Sequence, residues 1–156
     1  MNAQHHPAHV KILFDVENED GTVDLESLWA VPVSNGYRID NIPFYARGVA
    51  CNDIVAASPD EDGMLHFSGL ITASGHSTVR LWFRDEADVP VVRDYLRRMG
   101  CASESDLPRL VAVDIPPTVP YDALRKFLDE QEAAGVFEYE EGCLGQDGQD
   151  SGSVGQ

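Results

Sequence analysis

Residues 78–141 read TVRLWFRDEADVPVVRDYLRRMGCASESDLPRLVAVDIPPTVPYDALRKFLDEQEAAGVFEYEE, and their periodicities decide the fold of the second half of the chain. In residues 78–83, Val79, Leu81 and Phe83 alternate with Thr78, Arg80 and Trp82, the period-2 pattern of a half-buried strand. A helix is expected next, because Asp85 or Asp88 suits a cap, Pro90 suits a first turn, and Val92, Tyr95, Leu96 and Met99 recur at helical spacing. Gly100 ends it. Residues 102–104 form a weak strand candidate, and residues 110–115 alternate again until Pro116 and Pro117 forbid continuation. Pro120 then opens a second helix lined by Leu124, Phe127 and Leu128. Gly135 stops it before Phe137 and Tyr139 alternate with Glu138 and Glu140. The succession strand, helix, strand, strand, helix, strand is a split βαβ, or ferredoxin-like, order.

The preceding residues are organised differently. Residues 10–16 are apolar and rich in β-formers, and 27–33 lead through Ser34-Asn35-Gly36 into 37–39, where Asn-Gly signals a hairpin. Residues 42–45, 53–57 and 65–72 read as further short strands, with Pro59 to Gly63 as an acidic turn. The expected class is therefore α+β. A small curved sheet or half-barrel over 9–75 packs on a ferredoxin-like half over 76–144, between a flexible N-terminus at 1–8 and a disordered tail at 145–156.

Composition narrows the function classes. The 156 residues, 43% apolar, can bury one good core or two small ones that share an interface. Twenty-seven acidic residues against eleven basic ones give a formal net charge of −16, a field that repels nucleic-acid backbones and anionic membranes and favours a basic protein partner. No stretch reaches the roughly 18 apolar residues of a membrane span, and the start lacks a signal-peptide pattern. Cys51, Cys101 and Cys143 are an odd number without paired spacing, which points to free thiols in the cytoplasm. Nothing in the sequence calls for a cofactor, and it leaves the oligomeric state open.

Five strings occur in order: Glu26-Ser27-Leu28-Trp29-Ala30, Tyr37-Arg38-Ile39-Asp40-Asn41-Ile42-Pro43-Phe44, Ser74-Gly75-His76-Ser77-Thr78, Asp85-Glu86-Ala87-Asp88-Val89 and Glu138-Tyr139-Glu140-Glu141-Gly142-Cys143-Leu144. Together they resemble a bacterial family, domain of unknown function 4265, over about residues 9–145. The resemblance implies no activity and no site residues. It also leads one to expect a glycine or another small residue before Asp53, where this chain has Asn52.

Several residue groups have the types that chemistry needs. His76, beside Ser77 at the joint of the two halves, could act as a base next to a hydroxyl nucleophile. Glu138 and Glu140 add carboxylates, although on a last strand beside the first they serve equally as cross-strand partners of Arg80. Cys143, read as part of an exposed tail, has acidic neighbours that do not activate a thiol, and Cys51 and Cys101 suit packing. His5-His6-x-x-His9 has metal-ligand spacing but precedes the first strand without caps, so it reads as a mobile tail. Asp60-Glu61-Asp62-Gly63 lacks the spacing of a calcium loop.

The aromatic residues matter most. Thr78, Arg80 and Trp82 lie on the face that the two helices do not cover, and that face needs either the first half or a partner over it. Trp29 and Phe44 are expected to pack towards Trp82. RNA reading on such a face is disfavoured, since residues 110–115 carry no aromatic side chain and the field has the wrong sign. Three readings follow. The leading one is a non-catalytic regulatory or immunity-type module binding a basic protein partner, with Trp29, Phe44, Arg80 and Trp82 as contact residues. The others are a small enzyme around His76 and a small-ligand sensor with an aromatic pocket.

Overall fold

A computed structural model describes residues 8–145. Its first half contains β1 (Val10–Glu17), β2 (Val23–Val33), β3 (Gly36–Ile39), β4 (Ile54–Pro59) and β5 (Leu65–Thr72), and these close into a barrel rather than stopping at a half-barrel. Four neighbouring pairs are antiparallel hairpin partners. Closure comes from a short parallel contact in which Ile12 and Leu13 of β1 meet Leu65 and His66 of β5. The hairpin expected near Asn35-Gly36 forms, but its turn is Ser34-Asn35, with Gly36 already paired to Val33.

Alternation selects the barrel core. Ile12 and Phe14 of β1, Leu28 and Ala30 of β2, Ile39 and Val55 face inward. Residues 40–53 are irregular, so the strand expected at 42–45 does not exist. Ala46 and Val49 of this loop still join the barrel core and plug its end.

The second half contains β6 (Ser77–Phe83), α1 (Val89–Met99), β7 (Ala102–Leu107), β8 (Leu110–Ile115), α2 (Tyr121–Ala133) and β9 (Phe137–Cys143). Its four strands lie in the order β7-β8-β6-β9, every neighbouring pair antiparallel. The punctuation works as expected. The Asp85 side chain accepts from Ala87 N–H to cap a single 3-10 turn ahead of α1, and Gly100 ends α1 in the left-handed conformation.

Both helices cover one face of this sheet. Val92 and Leu96 of α1 and Leu124 and Leu128 of α2 pack on Val79, Leu81, Val111, Val113 and Phe137, while Tyr95 and Phe127 stack between the helices at 4.3 Å. The other face carries Thr78, Arg80 and Trp82 on β6. Across from them stand Asp114, Ala112 and Leu110 of β8. No helix of the described residues is long and apolar enough to cross a membrane.

Three expectations about chain ends change. His9 is held in place, its Nε2 2.7 Å from Asp40 Oδ2 and its ring against Trp29; His5 and His6 lie outside the described residues. Cys143 is the last residue of β9 and pairs with Thr78, so it belongs to the sheet and not to an exposed tail. Gly145 is buried and donates its N–H to Ser77 Oγ at 2.9 Å, and the rest of the expected tail lies outside the described residues.

Candidate functional site

The joint between barrel and sheet is built around Arg80, 1% exposed at the centre of β6. Its Nε donates to the Phe44 carbonyl and its Nη2 to the Ala46 carbonyl. The amides of the same segment point the other way. Glu26, on the inward parity of β2 two residues before Leu28, accepts from Phe44 N at 2.7 Å, Tyr45 N at 3.0 Å and Ala46 N at 2.7 Å. Residues 44–46 do not pair as a strand, because five of their six backbone polar groups are committed to one carboxylate and one guanidinium.

Two further bonds fasten the loop to the sheet. Gly48 donates to the Gly142 carbonyl at 3.0 Å, and Tyr45 Oη to Asp106 Oδ2 at 3.2 Å. Glu140 faces Arg80 in register, 3.4 Å from Nη1, and also accepts from Arg47 at 3.1 Å. Glu138 stands opposite Trp82 instead, so only Glu140 serves as the cross-strand partner of Arg80. Burial pulls the Arg80 guanidinium below its ordinary value, opposed by Glu140 and Glu26. Arg80 is thus a structural bolt rather than a residue free to meet a partner.

His76 does sit at the joint. Its Nδ1 is 2.9 Å from Asp114 Oδ1, and its Nε2 is 3.4 Å from the Asn52 side-chain nitrogen. These contacts fit an Nδ1–H tautomer that donates to Asp114 and accepts from the Asn52 amide. Burial pushes the Asp114 carboxyl up, against the pull of the His76 ring. Asn52 has φ of 72°, a left-handed position suited to glycine and tolerated best by Asn among other residues, which explains the departure from the expected glycine. Asp53, 2% exposed, completes the joint by accepting from Ala50 N at 2.9 Å and Ser74 N at 2.8 Å.

A histidine oriented by a carboxylate is two thirds of a hydrolytic triad. The third member is missing from these contacts. Ser77 is fully buried, and its Oγ is engaged by Gly145 N–H rather than by His76. Burial raises the Cys51 thiol to about 12 and the Cys143 thiol to about 11, with nearby carboxylates adding to the rise, so neither is an activated nucleophile. His76, Ser77, Cys51 and Cys143 line none of the five main surface clefts of the described residues. Among the described residues no group of three or more His, Cys, Asp or Glu side chains is placed to hold a metal ion.

The expected aromatic joint does not assemble. Trp29 lies on the outward parity of β2, with Lys11 Nζ 4.9 Å from its ring centre and His9 beside it. Phe44 contributes its backbone to the Arg80 clamp and its ring to a contact with Tyr45. Trp82 is 44% exposed, at the end of an otherwise buried strand. The barrel loop covers the Arg80 part of the second face and leaves the Trp82 end open.

Residues 26–139 match the family described as domain of unknown function (DUF4265). The chain belongs to that family. A solved structure titled as a hypothetical protein from Neisseria gonorrhoeae is similar to this chain throughout: TM-score 0.80, 27% identity, covering 90% of this chain and 99% of that one. No curated protein matches. For this DUF4265 protein the sequence pointed to His76 and Arg80 at the joint but missed Glu26, Asp53 and Asp114. Their only sequence signal was a carboxylate on an otherwise apolar strand or at its start.

Proposed function

We propose that this DUF4265 protein is a non-catalytic binding module of regulatory or immunity type, acting in the cytoplasm, whose acidic surface engages a basic protein. The observation that carries the reading is a groove between the β1-β2 hairpin and Tyr45. It is lined by Asp15, Glu17, Glu19 and Asp24, none of which forms an ion pair among the described residues, and by one cation, Arg47, which is paired with Glu140. Exposed Val23 and Leu25 flank it. Unpaired carboxylates beside apolar side chains suit lysine and arginine stems, which bury methylenes while their heads find charge. A net charge of −16 adds long-range attraction.

The enzyme reading has less support, since His76 has Asp114 and Asn52 on its two nitrogens and no activated nucleophile in contact. The strand order β7-β8-β6-β9 with two helices on one face supports a ferredoxin-like description of the second half. The test is affinity capture at low and high salt with the natural chain and with Asp15→Asn/Glu17→Gln/Asp24→Asn. A single basic protein, lost at high salt and lost with the triple variant, is expected. No partner, or one indifferent to the triple variant, overturns the reading.

A further inference from the structure

Where the barrel loop stops covering the sheet, a cleft of about 500 Å3 opens, lined by Trp82, Phe83, Leu107, Leu110 and Phe137. It lies where β6 ends and where β8 and β9 begin, and its apolar walls join side chains from both faces of the sheet. Its polar lining consists of Arg84, Arg109 and Glu138. The two arginines have anchored backbones. Phe83 N–H donates to the Arg109 carbonyl at 2.8 Å, and Arg84 N–H donates to the Val136 carbonyl at 3.0 Å.

Their guanidinium groups are underused. Arg109 Nη1 donates to the Arg84 carbonyl at 3.3 Å, and neither arginine forms an ion pair among the described residues. In a chain with 27 acidic residues and 11 basic ones, this cleft brings two arginines without carboxylate partners against apolar side chains. Two guanidinium groups against the single carboxylate of Glu138 leave the cleft with one net positive charge. That balance matches a monoanion. The volume falls within the range of small-molecule sites, whose walls are mostly apolar with a few convergent polar groups.

We infer that this cleft is a binding site for a small monocarboxylate with an aromatic body. The ring stacks on the exposed Trp82 and Leu107, over a floor of the buried Phe83, Leu110 and Phe137, and the carboxylate meets Arg84 and Arg109, the residue type best suited to bidentate contact with a carboxylate. The site is separate from the acidic groove, so either can fail without the other.

The probe is 3-phenylpropionate, titrated calorimetrically into the full chain, with neutral 3-phenylpropanamide in parallel. Saturable one-to-one binding of the acid is expected, with the amide weaker by about tenfold or more, because it loses the charge-assisted bonds. Arg84→Gln/Arg109→Gln should weaken the acid by a similar factor and leave the amide unchanged, whereas Lys126→Gln, on the exposed side of α2, should change neither. Melting curves of the variants establish that they fold. Absence of saturable binding at millimolar acid, equal binding of acid and amide, or equal binding by the folded double variant overturns the inference.

Discussion

Glu26 and Arg80 hold opposite sides of one three-residue segment. Glu26 accepts all three amides of residues 44–46, and Arg80 donates to the first and third carbonyls. The two side chains come from different halves of the molecule, so the clamp joins barrel to sheet through backbone that neither half could otherwise satisfy. Arg80→Lys keeps the charge but cannot span both carbonyls. Losing charge-assisted hydrogen bonds worth about 1.5–3 kcal/mol each should lower stability by at least about 2 kcal/mol, read as a shift in the urea midpoint. An unchanged midpoint would mean that the clamp contributes little.

The guanidinium lies so close to β9 that a Cβ added at Gly142 would sit 2.0 Å from Arg80 Nη1 and 2.8 Å from Cζ. Arg80 cannot swing away without leaving its carbonyls. Gly142→Ala should therefore cost about 1–3 kcal/mol, as overpacking does elsewhere. Gly69→Ala is the matched control, since nothing lies within 4 Å of its added Cβ, and it should stay within about 0.5 kcal/mol. Thermal unfolding of the pair checks both.

Asn52 offers a conformational test. Its φ of 72° costs a β-branched side chain more than it costs Asn, so Asn52→Val should destabilise by about 2 kcal/mol. Asn52→Gly should stay within a few tenths of the natural chain, gaining backbone ease while losing the amide contact to His76. Chemical denaturation distinguishes them. Equal costs for the two would place the importance of Asn52 in its amide rather than its backbone.

The three cysteines make stability depend on alkaline pH. Burial raises Cys51 to about 12 and Cys101 and Cys143 to about 11 from an ordinary 9.0. The folded state holds these protons more tightly than the unfolded chain does. The resulting stabilisation is complete below about pH 9 and is lost as pH rises from 9 towards 11 and 12. At pH 8 a disulfide reagent such as dithionitrobenzoate should react slowly with the native protein and promptly with three thiols in denaturant. Fast reaction of a native thiol at pH 8 would contradict the raised values.

Much of residues 78–141 was legible because each element there carries its own local signals. Pro90 and Gly100 bracket one helix, Pro116-Pro117 stop a strand, and the alternation of Val79, Leu81 and Phe83 marks the face that the helices cover. Strand order pointed to Glu138 or Glu140 as the cross-strand partner of Arg80, and the register selects Glu140. What stayed hidden was non-local. Residues 42–45 carry β-forming side chains, yet the amides of residues 44–46 belong to a carboxylate about twenty positions upstream, and no local pattern records that. Barrel closure rests on two parallel pairs between β1 and β5, equally invisible in periodicity. Trp29 and Trp82 looked like natural partners by residue type. The inward parity of Leu28 and Ala30 turned Trp29 outward, to Lys11 and His9.

A double-mutant cycle on Glu26→Gln and Arg80→Met tests most directly the claim that the joint is a self-contained structural clamp rather than a partner surface. Each single change frees one side of residues 44–46 and should make the other side less costly to lose. The double variant should therefore be more stable than the sum of the single losses implies, by about 1 kcal/mol or more. Additivity within about 0.3–0.5 kcal/mol would contradict the clamp and return the Arg80 face to the list of surfaces open to a partner.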